Sequence, residues 1–183
     1  MINIAARDLF LNALAFCLLV LIIIIPWINP VPVAADTKPV GQMIVRISWP
    51  DGTDDIDLWL KGPDDAVAVG YSRKDGNGAW ALLRDDIGPP LITGNEELGI
   101  ARSLPNGLWA VNLHAYRTNG PVQVKVEIML FPANGPKVEL FNRPVEMFRV
   151  GQERTVIQWR MRDGKLVPFS MNQTFVPLRS AGK

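Results

Sequence analysis

The fold is decided by GLWAVNLHAYRTNGPVQVKVEIMLF, residues 107–131. Two apolar-rich alternating runs, 107–116 and 122–131, flank Arg117-Thr118-Asn119-Gly120-Pro121. Alternation sends successive side chains to opposite faces of a pleated strand, so each run reads as a strand. Asn119-Gly120 is a hairpin signal, while Pro121 directly after it asks for a loop longer than two residues. Upstream, 43–49 (MIVRISW) is a strand closed by Pro50-Asp51-Gly52. Ile56, Leu58 and Leu60 alternate with Asp57, Trp59 and Lys61 in a half-buried strand ended by Gly62-Pro63. Residues 66–71 form another short run. Downstream, 138–141, 145–150 and 155–161 continue the pattern, with Asp163-Gly164 as a last turn. Seven or more short strands without a long helical period predict an antiparallel β-sandwich.

Composition agrees with many short elements. The 183 residues include 15 Gly and 15 Pro, nearly all after residue 25. A single His and a single Cys exclude a His-based triad, a His/Cys zinc site and a disulfide scaffold. With 19 Lys+Arg against 18 Asp+Glu, the net charge is +1, so no broad basic field exists to hold nucleic acid. Hydrophobic residues make up 48%, and mean hydropathy is +0.12. Much of that excess lies in 9–25, where Asn12 is the only polar side chain. No carboxylate pair stands out for glycoside hydrolysis, and no enzymatic activity is expected.

The run LFLNALAFCLLVLIIIIPWI, residues 9–28, is long enough to span a hydrocarbon core of about 30 Å as a helix. Trp27 stands where an indole favours the headgroup layer, and Pro26, Pro30 and Pro32 stop the helix. The competing reading is a cleaved signal peptide, with Arg7 as its charged start and Val33-Ala34-Ala35 before the cut. The apolar run is longer than the usual signal core of about 7–15 residues, which favours an uncleaved anchor. The expected organisation is a cytoplasmic tail (1–8), a transmembrane helix (9–28), a Pro-rich linker (29–41), a periplasmic β-sandwich (42–168) and a C-terminal tail (169–183). On a helix, Asp8, Asn12, Ala15 and Leu19 share one stripe, and an intramembrane carboxylate there is a functional-site hypothesis. The bland reading of Asp8 is an N-terminal cap or dipole partner.

The stretch 8–19, DLFLNALAFCLL, resembles the single transmembrane helix of the MotB/ExbD/TolR stator family. Asp8 stands at the family's Asp, Ala15 and Phe16 hold the Ala-Phe places seven and eight positions on, and Leu18 also matches. The resemblance implies an inner, dimeric subunit inside a pentamer of MotA/ExbB/TolQ-like multi-span subunits in a bacterial inner membrane. In it Asp8 carries the proton, Asn12 helps one turn along, and Ala15 and Leu19 pack against the partner. Asp8 has only seven residues before it, and nothing after residue 40 reads as the peptidoglycan-binding domain of MotB or the small domain of ExbD. The external domain would then act on a cell-envelope component. Separately, 54–63 (DDIDLWLKGP) resembles small extracellular sandwich modules of the DUF2135 and prepeptidase C-terminal types, where Asp-x-Asp-Leu opens a strand and Gly-Pro follows. The alternative function is a membrane-anchored or secreted binding module with no motor.

Within the external part, Asp51, Asp54, Asp55 and Asp57 offer oxygens for calcium, although their order is not an EF-hand. Turn capping is the favoured reading of these residues. Asp85-Asp86 is a second acidic pair, with a place the sequence leaves open. His114 is expected to face outward from its strand. Ser72–Gly78 (SRKDGNG) lacks phosphate-loop spacing. Trp49, Trp59, Trp80, Trp109 and Trp159 are read as packing residues rather than a carbohydrate platform.

Overall fold

The computed structural model describes residues 3–28, 41–86 and 93–179, with helix side chains given at 4 and 6–22. The chain divides into two units, Met1–Lys38 and Pro39–Lys183.

The first unit holds α1 (Ile4–Ile28). The Asn3 carbonyl accepts the amides of Ala6 at 3.0 Å and Arg7 at 3.2 Å, so the first turn closes ahead of Asp8. From 6 to 22 every side chain is exposed except half-buried Val20. Leu9, Phe10, Leu14, Phe16 and Ile22 are between 49% and 73% exposed, on every side of the helix. Among the described residues no helix is long and apolar enough to cross a membrane. The described side chains 6–22 cover about 25 Å of helix at 1.5 Å each, against about 30 Å of hydrocarbon. The side chains of Pro26 and Trp27, and linker residues 29–40, lie outside the described residues.

The second unit is mainly β, as expected. Its strands are β1 (Met43–Ser48), β2 (Asp55–Lys61), β3 (Trp80–Arg84), β4 (Glu96–Ala101), β5 (Gly107–Arg117), β6 (Val122–Leu130), β7 (Val138–Met147), β8 (Glu153–Arg162) and β9 (Lys165–Leu166). Two antiparallel sheets result, in the orders β3-β4-β1-β6-β7 and β2-β5-β8-β9. Inward residues of both meet in one core, including Val45, Ile47, Leu58, Leu60, Val111, Val126 and Ile128. Trp109 lies at its centre, edge-on to Trp80 at 5.4 Å and stacked on Trp159 at 6.1 Å. All five tryptophans after residue 40 are at most 6% exposed, so packing accounts for them.

Four readings change. Asn119-Gly120 does not make a hairpin, because β5 and β6 belong to different sheets. Neither residue takes a positive φ, which the two-residue hairpin turn needs; Pro121 follows and the chain crosses over. The runs 138–141 and 145–150 are one strand, β7, with Pro144 tolerated because β7 is a sheet edge. Residues 66–71 give only two isolated bridges, Val69 to Leu60 and Gly70 to Arg73. β3 and β4 escaped the pattern: Gly99 interrupts β4, and its Glu97 is a charge in a fully buried position.

The glycine-rich turn is built around a carboxylate. Asp65 is 4% exposed and its Oδ2 accepts the Gly62 amide at 2.6 Å. A Cβ on Gly76 would stand 2.6 Å from Asp65 Oδ1, and one on Gly78 closer still, so only glycine fits around that carboxyl group. Because Trp109 fills the space between the two sheets, Trp109→Ala is expected to lower unfolding free energy by about 3–5 kcal/mol. Urea denaturation of both proteins measures this, and a loss below about 1 kcal/mol would contradict the packing.

Candidate functional site

Two places carry unusual polar chemistry. On α1, Asp8 lies in the second turn, beyond the amides left free at the helix start, so it is not the cap. The dipole effect also fades within the first turn. Asp8, Asn12, Ala15 and Leu19 are all exposed, as one stripe on an otherwise apolar cylinder.

The second place is a cleft on the sandwich, a cavity of about 270 Å³ lined by Asp55, Asp57, Tyr71, Asp85, Asp86 and Tyr116. β2 alternates, so Ile56, Leu58 and Leu60 enter the core while Asp55 and Asp57 project from the other face. Asp85 and Asp86 follow β3 directly and bring two more carboxyl groups to the same cleft. Tyr71 and Tyr116 flank it, 41% and 53% exposed. Positive partners stand at its rim: Lys74 reaches Asp85 at 2.9 Å and Arg117 reaches Asp55 at 3.6 Å. Burial, and then the Asp57 charge, push Asp55 up to about 6, against the opposing pull of Arg117.

Glu97 lies beneath the cleft and is fully buried. Its Oε2 accepts the Leu58 amide at 2.7 Å, while Oε1 has no donor unless a proton is shared with neighbouring Asp85. Two carboxylates cannot hydrogen-bond until one is protonated. Burial raises Glu97 well above the usual carboxylate range, more strongly than the Leu58 amide lowers it, which favours Glu97 over Asp85 as the carrier of a shared proton.

His114 faces away from the inter-sheet core, as its alternation with Leu113 and Ala115 requires, yet it is 1% exposed. Expected to be an outward-facing residue, it is covered by the C-terminal tail. Arg179 NH1 donates to His114 Nε2 at 2.8 Å. Arginine cannot accept, so the imidazole proton sits on Nδ1 and is donated to Asp57 Oδ2, also at 2.8 Å. The tail is held along the whole sheet. Gln158 Nε2 donates to Thr174 O at 2.9 Å, and Asn112 Nδ2 donates to Val176 O at 2.7 Å. Glu153 Oε1 accepts the amides of Leu178 and Arg179. Leu178, 1% exposed, packs beside Trp59, Ala68 and Ala110. The tail is thus part of the domain through Arg179.

The four aspartates expected as calcium ligands do not form one site. Asp51 Oδ1 accepts the Gly94 amide at 2.9 Å, and Asp54 Oδ1 accepts the Asn119 amide at 2.9 Å. Both therefore tie down distant loops rather than capping their own turn, while Asp55 and Asp57 belong to the cleft. Among the described residues no three carboxylate, imidazole or thiol groups converge to hold a metal ion. Sequence reasoning missed Glu97, Tyr71, Tyr116 and Arg179. The one available signal was the Glu96-Glu97 pair opening an otherwise apolar strand.

Comparison with known proteins gives no match to a family model, a curated protein or a solved structure.

Raised carboxyl groups mean that the folded domain keeps protons the unfolded chain has lost. Stability should therefore fall as pH rises from about 4 to about 6 through Asp55, and Asp55→Asn should flatten that slope in thermal melts. Glu97→Gln keeps an acceptor for Leu58 and gives Asp85 a donor, so it is expected to melt higher than wild type at pH 8. Glu97→Ala leaves the Leu58 amide without its partner and should cost about 1–3 kcal/mol. A Glu97→Gln variant less stable than wild type at pH 8 would refute the protonated pair.

Proposed function

We propose that this chain is the inner, dimeric subunit of a proton-driven, stator-like membrane complex, with its β-sandwich on the periplasmic side of a bacterial inner membrane. The supporting observation is α1: a helix with exposed apolar side chains all round, interrupted by Asp8 in its second turn and Asn12 one turn further. A helix apolar all round needs an apolar surrounding, and here that surrounding is lipid and a multi-span partner. Asn12 in hydrocarbon requires a polar neighbour, so the Asp8 stripe faces protein or water. Burial against that partner would raise the Asp8 carboxyl and let it load a proton on one side and release it on the other. Ala15 permits close approach, and Leu19 packs below it. The resemblance of 8–19 to the MotB/ExbD/TolR helix supplies the motor class and the pentameric MotA/ExbB/TolQ-like partner. The sandwich then recognises, or transmits force to, an envelope component.

The acidic, tyrosine-flanked cleft favours a second reading: an anchored binding module in which α1 is only a tether. The two readings separate cleanly. Native mass spectrometry of the complex extracted from its own membranes should show two copies of the 20.3 kDa chain with five of a larger subunit. Asp8→Asn should keep that assembly and abolish proton uptake by proteoliposomes, while Asp8→Glu retains part of it. Full uptake in Asp8→Asn would end the carrier role. A chain that travels alone, and tolerates an unrelated anchor, is the binding module.

A further inference from the structure

On the outer face of the β2-β5-β8-β9 sheet, the tail closes over a small second pocket of about 140 Å³. It is lined by Trp59, Val67, Ala68, Ser72, Arg73, Leu178 and Arg179. Its polar side chains all carry a donor, and only the Ser72 hydroxyl can also accept. Trp59 is 5% exposed, and its indole Nε1–H, which can only donate, has no acceptor within the protein. Trp80 and Trp159 also carry unpartnered Nε1–H groups, but both lie inside the sandwich core. Among the described residues neither Arg73 nor Arg179 is paired with a carboxylate, and the contact recorded for the Arg179 guanidinium is His114 Nε2. Two guanidinium groups without counter-charges among the described residues, a hydroxyl and a buried indole N–H line a space of about five water volumes.

We infer that this pocket binds a small oxyanion, the carboxylate, phosphate or sulfate group of a ligand, with Arg73 and Arg179 as its charge partners and Trp59 and Ser72 as neutral donors. Guanidinium forks match planar carboxylates and tetrahedral oxyanions through paired hydrogen bonds, which fixes both charge and shape. Val67, Ala68 and Leu178 form the apolar side of the pocket, so the charged head enters beside an aliphatic wall. The site is held by pieces far apart in sequence. Trp59 comes from β2, Ser72 and Arg73 from the loop after it, and Arg179 from the tail. Gly70 lets that loop lie on the indole, since a Cβ there would stand 2.8 Å from the Trp59 ring. The Arg179–His114–Asp57 chain also ties this pocket to the acidic cleft, since Asp57 lines the latter. The inference is independent of the membrane role of α1.

The test uses the ¹⁵N-labelled full chain in mild detergent, with the Trp59 indole resonance assigned through Trp59→Phe. Sodium phosphate, sulfate and acetate are titrated separately at pH 7 and fixed ionic strength, with chloride as replacement. A saturable shift of the Trp59 indole is expected, with the apparent Kd raised by about tenfold or more in Arg73→Gln. Lys137→Gln, which removes the same charge from the loop after β6, should leave the Kd unchanged. Tighter binding of acetate assigns the pocket to a ligand carboxylate, and tighter binding of phosphate or sulfate to a tetrahedral oxyanion. No saturable shift with any of the three, or an equal shift in Arg73→Gln, means an adventitious ion only and overturns the inference.

Discussion

Both faces of the β2-β5-β8 sheet are covered, one by the partner sheet and the other by the tail, and this constraint governs the domain. A strand buried on both faces normally carries apolar residues throughout. Here the outer face carries Asp57, Asn112, His114, Thr155 and Gln158, none more than 6% exposed. Each of these side chains loses water on folding, and a buried polar group without a partner costs more than most single contacts return. The tail meets that demand with its backbone. Carbonyls of Thr174 and Val176 accept from Gln158 and Asn112, and amides of Leu178 and Arg179 donate to Glu153. The tail is therefore a structural layer, and its position closes the second pocket.

The same constraint explains why charge accumulates at one end. Asp57 is fixed by His114, and His114 by Arg179, so the carboxylate is held at the cleft wall by groups lined up along the outer face of the sheet. Asp55, Asp85 and Asp86 then gather beside it at the rim, with the buried Glu97 close by. The cleft concentrates negative potential between two tyrosine rings, while the pocket next to Trp59 concentrates donors. The domain therefore carries two chemically distinct polar pockets, one lined by carboxyl groups and one by donors.

The β domain and α1 treat their apolar residues differently. The sandwich buries its apolar residues against itself, whereas α1 leaves Leu9, Phe10, Leu14 and Phe16 exposed. A polar stripe of Asp8 and Asn12 on that helix is informative because nothing else on the helix between Leu9 and Ile22 competes with it.

Period and turn chemistry are local properties, and they made the β-sandwich legible without coordinates. β1, β2, β5, β6 and β8 follow from alternation, and Asp163-Gly164 turns with φ of 52° and 70° between β8 and β9. The stripe of Asp8, Asn12, Ala15 and Leu19 needs only the helical repeat. Strand pairing does not follow from either. Asn119-Gly120 has the composition of a hairpin and instead joins two sheets, because the pairing of β5 with β2 and β8, and of β6 with β1 and β7, decides where the chain must go. Burial of the outer sheet face was equally out of reach: alternation says which way His114 points, but not that residues sixty positions later will cover it. The acidic cleft, the buried Glu97 and the donor-lined pocket all arise from contacts between distant segments. Their energies depend on desolvation, a property of the folded surroundings and not of the residues that supply the charge.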